Sequence, residues 1–126
     1  MAGRLVVYVE DDEHNFLLVK RTLEMLEGVE VLHAASAIEG LDLIRSRPPD
    51  LILMDIQLPG MDGFEMTREL KRDESLKDIP VLALTANVMK GVKERALDAG
   101  CAEFVPKPFN LREFRQLVAG YLEKCG

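Results

Sequence analysis

The sequence predicts one α/β domain, a doubly wound parallel sheet of five strands covered by five helices. Three observations lead there. Short apolar runs alternate strictly with stretches of helical period. The central run, LILM at 51–54, is apolar at every position, as a strand covered on both faces should be. The 126 residues suffice for one core and are too few for two, so 1–126 reads as a single domain.

Leu5 to Val9 (LVVYV) is the first strand, closed by Glu10, Asp11, Asp12 and Glu13. From His14 to Leu26, residues Phe16, Val19, Leu23 and Leu26 share one helical face, and Gly28 follows as a terminator. Val29–Ala34 is the second strand. Ser36 offers an N-cap with Glu39 three residues on, a capping box for a helix carrying Ile38, Leu41 and Ile44. Pro48-Pro49 stop that helix before LILM. Gly63 to Lys71 forms the third helix, with Phe64, Met66 and Leu70 for packing. IPVLALT at 79–85 is the fourth strand. Val88, Met89, Val92, Ala96 and Ala99 mark a fourth helix ended by Gly100; Gly91 inside it costs about 1 kcal/mol against Ala. Glu103–Val105 is a short fifth strand, and Asn110 caps a last helix bearing Leu111, Phe114, Leu117, Val118 and Leu122.

Composition excludes several classes. Sixteen Lys+Arg against 22 Asp+Glu leave a net charge of −6. Such a chain does not bind nucleic acid, or an anionic membrane surface, by bulk charge. No apolar stretch spans a bilayer, and MAGRLVVYVEDD is not a secretion signal. Cys101 and Cys125 have no metal-like spacing and read as free thiols of a cytoplasmic protein.

In a doubly wound sheet, ligands gather at the carboxyl ends of the strands. Strand 1 delivers Glu10, Asp11 and Asp12; strand 3, Asp55; strand 4, Thr85; strand 5, Lys107. If strands 1 and 3 are neighbours, Asp11 and Asp55 converge with Glu10 or Asp12 close behind. Crowded carboxylates must either gain protons or share a cation. An all-oxygen donor set selects a hard ion, Mg²⁺. Lys107 and Thr85 facing these acids make sense if an anion arrives there. A carboxylate nucleophile, a divalent metal and a cationic stabiliser are the parts of phosphoryl transfer to Asp.

VEDDEHN, LILMDIQLPGMDG, LTA and PKPF resemble the motifs of response-regulator receiver domains of two-component signalling, in the family's order from Leu5 to Leu122. The resemblance implies a flavodoxin-like strand order, 2-1-3-4-5. It makes Asp55 the phosphoacceptor, with Asp11, Asp55 and the backbone carbonyl of Gln57 as direct Mg²⁺ ligands and Glu10 as a ligand through water. Thr85 becomes the switch hydroxyl, Lys107 the phosphate-pairing lysine and Phe104 the rotating aromatic. The implied donor is a histidine kinase or histidine phosphotransferase. The implied output is a protein partner on the surface of helix 4, strand 5 and helix 5, with self-phosphorylation and autodephosphorylation but no metabolite turnover.

The sequence departs from the family pattern in three places. Glu10 stands where Asp is frequent, and its longer arm favours a water-mediated metal contact. Phe104 lacks the hydroxyl of the commoner Tyr. Pro106 removes a backbone donor beside Lys107, which an edge strand tolerates. Lys107-Pro108 is a candidate cis peptide by resemblance.

Several residues have plainer readings. Asp12 and Glu13 are first-turn helix acids. Asp62-Gly63 is a turn that starts a helix. Asn87 is a candidate for the site mouth. His14 and His33 lie at or near the surface without a ligand role. Cys101 packs in the core, Cys125 lies in a fraying tail, and Lys90, Lys93 and Arg95 form a solvated helix face.

The expected form is a stand-alone receiver with no output domain, since the chain starts at Met1 and ends just after the last helix. The alternative is a receiver cut from a hybrid histidine kinase or a larger regulator. An Asp-nucleophile phosphatase needs a second acid where Gln57 stands. A flavin carrier needs a Ser/Thr/Gly-rich loop where EDDE stands.

Overall fold

The computed structural model describes residues 3–56, 63–86, 91–107 and 110–124. Among these the elements run β1 (Arg4–Val9), α1 (Glu13–Leu23), β2 (Val29–Ala34), α2 (Ala37–Ser46) and β3 (Leu51–Asp55). They continue with α3 (Gly63–Arg72), β4 (Val81–Thr85), α4 (Val92–Ala99), β5 (Glu103–Pro106) and α5 (Leu111–Lys124). The five strands pair in parallel in the order β2-β1-β3-β4-β5. The fold class and strand order are those the sequence predicts.

Strand alternation sorts the core into two layers. Val7, Val9, Ile52, Met54, Val81 and Ala83 bury one sheet face against α2, α3 and α4. Val6, Tyr8, Leu51, Leu53, Leu82 and Leu84 bury the other against α1 and α5. The central strands are thus apolar at successive positions because both faces are covered. All five strands are parallel, so their carboxyl ends meet at one edge.

Local chemistry sets the helix starts. Asp12 accepts the Asn15 N–H at 3.1 Å and caps α1. Ser36 Oγ accepts from Glu39 N at 3.2 Å, while Glu39 Oε2 accepts from Ala35 N at 2.9 Å, one residue earlier than a capping box requires. Asn110 Oδ1 accepts from Glu113 N at 3.0 Å, as expected of the α5 cap.

Three expectations need correction. α1 ends at Leu23, short of Leu26, because its exit tightens into a turn in which Leu26 N donates to Leu23 O at 3.0 Å. Gly91 is not inside a helix; it is the N-cap of α4, with φ 91° and ψ −15° in the left-handed region. Asp12 is the N-cap of α1, not a first-turn acid, because its side chain accepts the Asn15 N–H. Arg95 is exposed, as expected, and its guanidinium also lies 4.5 Å over the Phe64 ring. Gln57, Asp62, Asn87, Val88, Met89, Lys90, Cys125 and the Lys107-Pro108 peptide lie outside the described residues. Cys101 is buried, as expected.

Candidate functional site

The site grows out of the register between β1 and β3. Tyr8 pairs with Leu53 and Val9 with Met54, so the next step brings Glu10 alongside Asp55. Both residues fall on the α1/α5 side by strand alternation. Ligand oxygens of Glu10, Asp11 and Asp55 all lie within 4.8 Å of one another. Asp11 is exposed, whereas Glu10 is only 1% exposed. The Asp55 side chain is 13% exposed, so it is largely enclosed but still reachable from solvent.

Lys107 arrives from the far edge of the sheet. β4 pairs with β5 so that Thr85 stands opposite Pro106, and Lys107 N then donates to Thr85 O at 2.7 Å. That bond aims the side chain inward. Lys107 Nζ donates to Glu10 Oε1 at 3.0 Å and to Asp55 Oδ2 at 3.2 Å. One ammonium thus bridges two of the three acids.

Glu10 has further partners. The Tyr8 hydroxyl donates to Oε1 at 3.0 Å, and the Asp12 N–H approaches Oε2 at 3.4 Å. Burial works to raise the Glu10 carboxyl, but the hydrogen bond and charge of Lys107, with the Tyr8 hydroxyl, hold it below the usual range. Burial likewise works to lower the Lys107 ammonium, and its bonds and charge contacts with Glu10 and Asp55 raise it instead. The Tyr8 hydroxyl is pushed far up by burial first and by the Glu10 charge second, so it stays a neutral donor.

Thr85 is buried at the end of β4, on the opposite sheet face from Asp55 by alternation. Phe104, opposite Ala83, shares that face and packs half-buried against the α2–α3–α4 layer. The structure therefore joins Glu10, Asp11, Asp55 and Lys107 directly, and sets Thr85 and Phe104 on neighbouring strands behind them. α3 packs hard against the end of β3: a Cβ on Gly63 would sit 2.8 Å from Met54 Cε and 2.9 Å from Ile56 Cα. A cavity of about 370 Å³ opens on the α1/α5 side, with Tyr8, Leu18 and Lys107 in its wall.

Residues 6–119 match the family model of the response regulator receiver domain. The chain belongs to that family. Receiver domains of this kind are signalling switches of two-component systems. The chain is 45% identical over 117 residues to the polar-differentiation response regulator DivK of Brucella ovis, covering 93% of this chain and 94% of that one. Two solved receiver structures are also similar. The receiver of sensor histidine kinase PA1611 from Pseudomonas aeruginosa, with magnesium coordinated in its active-site cleft, superposes with a TM-score of 0.87 at 33% identity. It covers 97% of this chain and 99% of its own. The phosphorylated cyanobacterial phytochrome response regulator RcpA gives 0.82 at 29% identity, covering 97% and 93%. No helix among the described residues is long and apolar enough to cross a membrane.

The donor set of this receiver domain fits Mg²⁺. It is all carboxylate oxygen, close-set, with no His or Cys in the cluster. Sequence reasoning gave no site role to two residues here, Tyr8 and His33. Tyr8 stands two residues before Glu10, hence on the same strand face, and a buried tyrosine hydroxyl needs a partner. His33 lies at the carboxyl end of β2, the one strand end left out of the inventory of site residues.

Proposed function

We propose that this receiver domain is a phosphorylation-controlled switch whose acceptor is Asp55. The observation that carries the reading is the convergence of Glu10, Asp11 and Asp55 within 4.8 Å, bridged by Lys107. An Asp55 oxygen attacks the phosphorus of a phosphohistidine on a histidine kinase or histidine phosphotransferase. The phosphorus–nitrogen bond breaks and its electron pair returns to the imidazole. Bound Mg²⁺ supplies charge neutralisation for the oxygens of the transferring group. Asp11 and Asp55 would hold it directly and Glu10 through water, and the family resemblance adds the backbone carbonyl of Gln57 as a further ligand. Lys107 turns its ammonium to the new dianion, a point-charge partner for phosphate. Water later hydrolyses the acyl phosphate, so the protein phosphorylates and dephosphorylates itself without turning over a metabolite.

The output is a shift of the α4–β5–α5 surface toward a protein partner. Thr85 moves to the phosphoryl group and Phe104 follows, which their common sheet face supports. Two states separated by a few kcal/mol suffice for such a switch. The 94% coverage of the Brucella protein is in keeping with a stand-alone regulator.

Asp55→Asn tests the reading. The wild type takes up acid-labile phosphate from a small phosphodonor in the presence of Mg²⁺, and the variant takes up none. Labelling of the variant at full stoichiometry rejects Asp55 as acceptor.

A further inference from the structure

Glu10 is held at both ends. Its side chain receives the Tyr8 hydroxyl and Lys107 Nζ, each 3.0 Å from Oε1. Its main-chain oxygen lies 2.6 Å from His33 Nε2. A carbonyl oxygen only accepts, so Nε2 carries the proton and donates. The two aromatic holders share one brace, Phe16 of α1. Its ring stacks on His33 at 4.1 Å and 13°, and lies 6.1 Å from Tyr8 at 38°. Three aromatic side chains from β1, α1 and β2 thus form a cradle around a single carboxylate residue.

We propose that Tyr8 and His33 are positioning residues that fix the side chain and main chain of Glu10 and thereby set the Mg²⁺ affinity of the site. This inference rests on the reading of the acidic cluster as a Mg²⁺ site. Two donors engage Oε1 and the Asp12 N–H approaches Oε2 at 3.4 Å, so the carboxylate is held in one orientation beside Asp11 and Asp55. His33 fixes the peptide that leads into Asp11, whose exposed carboxylate is placed by the backbone that carries it. When Lys107 leaves Glu10 for a phosphoryl group, the Tyr8 hydroxyl stays on Oε1. A carboxylate only 1% exposed then keeps a donor in the activated state. Such outer partners tune a metal site by orienting its ligands.

The test is Mg²⁺ titration of the purified chain by calorimetry, with melting temperature measured in the absence of metal. Tyr8→Phe keeps the ring and its contact with Phe16 but lacks the hydroxyl. His33→Phe keeps the stack but lacks the donor, and His33→Gln restores a donor. The first two weaken Mg²⁺ binding about 10-fold, and His33→Gln binds more tightly than His33→Phe. Wild-type affinity in Tyr8→Phe and His33→Phe, whatever their melting temperatures, overturns the proposal. Equal weakening in His33→Gln and His33→Phe overturns the part assigned to His33. The unmutated protein gives a second readout that needs no variant to fold. The Glu10 carbonyl carbon and His33 Nε2–H resonances shift in step with Mg²⁺ saturation; resonances that stay fixed overturn the proposal. A wild type that binds no Mg²⁺ and takes up no phosphate is instead the failure of the underlying reading.

Discussion

Lys107 Nζ lies 3.0 Å from Glu10 Oε1, although 97 positions separate the two residues in the chain. Their side chains are 18% and 1% exposed, so this is a largely desolvated ion pair. Desolvation makes the pair costly to break from one side. The lysine therefore restrains the acid cluster before any phosphate arrives.

Lys107→Met leaves the Glu10 carboxylate buried without its cation. Removing one partner of a buried pair costs about 3 kcal/mol. The metal-free variant is expected to lose stability on that scale in urea unfolding at neutral pH. The double variant Glu10→Gln/Lys107→Met recovers part of the loss, because the most deeply buried charge is gone while Asp55 still lacks its lysine. Such recovery in a double-mutant cycle identifies the pair as coupled.

The same pair sets two limbs of pH dependence in metal-free protein. Glu10 is held below its ordinary value of 4.5. Its contribution to stability is full above that value and is lost as the pH falls through the lower folded value. Lys107 is held above its ordinary value of 10.5. Its contribution is full below that value and is lost as the pH rises through the higher folded value. Urea midpoints are expected to fall on both sides of a plateau. Glu10→Gln removes its share of the acid limb.

Gly91 separates the local reading from the tertiary one. Inside a helix, replacing it with Ala would stabilise by about 1 kcal/mol. At φ 91°, a left-handed N-cap position, Ala instead costs about 1 kcal/mol. Among the described residues nothing lies within 4 Å of the added Cβ, so the expected cost is backbone strain. Urea unfolding of Gly91→Ala is expected to show a lower midpoint with an unchanged slope.

Much of the site was legible without coordinates. The rule that ligands gather at strand carboxyl ends picked out Glu10, Asp11, Asp55, Thr85 and Lys107 from four strand ends. The rule failed where it was applied to only four ends. β2 was passed over, and His33 was read as a residue near the surface with no ligand role, whereas its Nε2 lies 2.6 Å from the Glu10 carbonyl. Tyr8 was counted as one more apolar strand residue, because its hydroxyl has meaning only once Glu10 is known to be buried. Gly91 was misread for a related reason. Helical period places a residue on a face, but a backbone angle is fixed by how the chain enters the helix.

The sequence by itself determined the element order, the two covered sheet faces, the α2 and α5 caps and the residue types at the strand ends. These depend on periodicity, side-chain volume and hydrogen bonds between residues a few positions apart. Only the tertiary structure decided which oxygen of Glu10 meets Lys107 and Tyr8, that His33 grips its carbonyl, and that Phe16 braces both aromatic holders. Those contacts join β1, β2, α1 and the residue following β5. Their distances are set by strand register and layer packing, which no local pattern encodes.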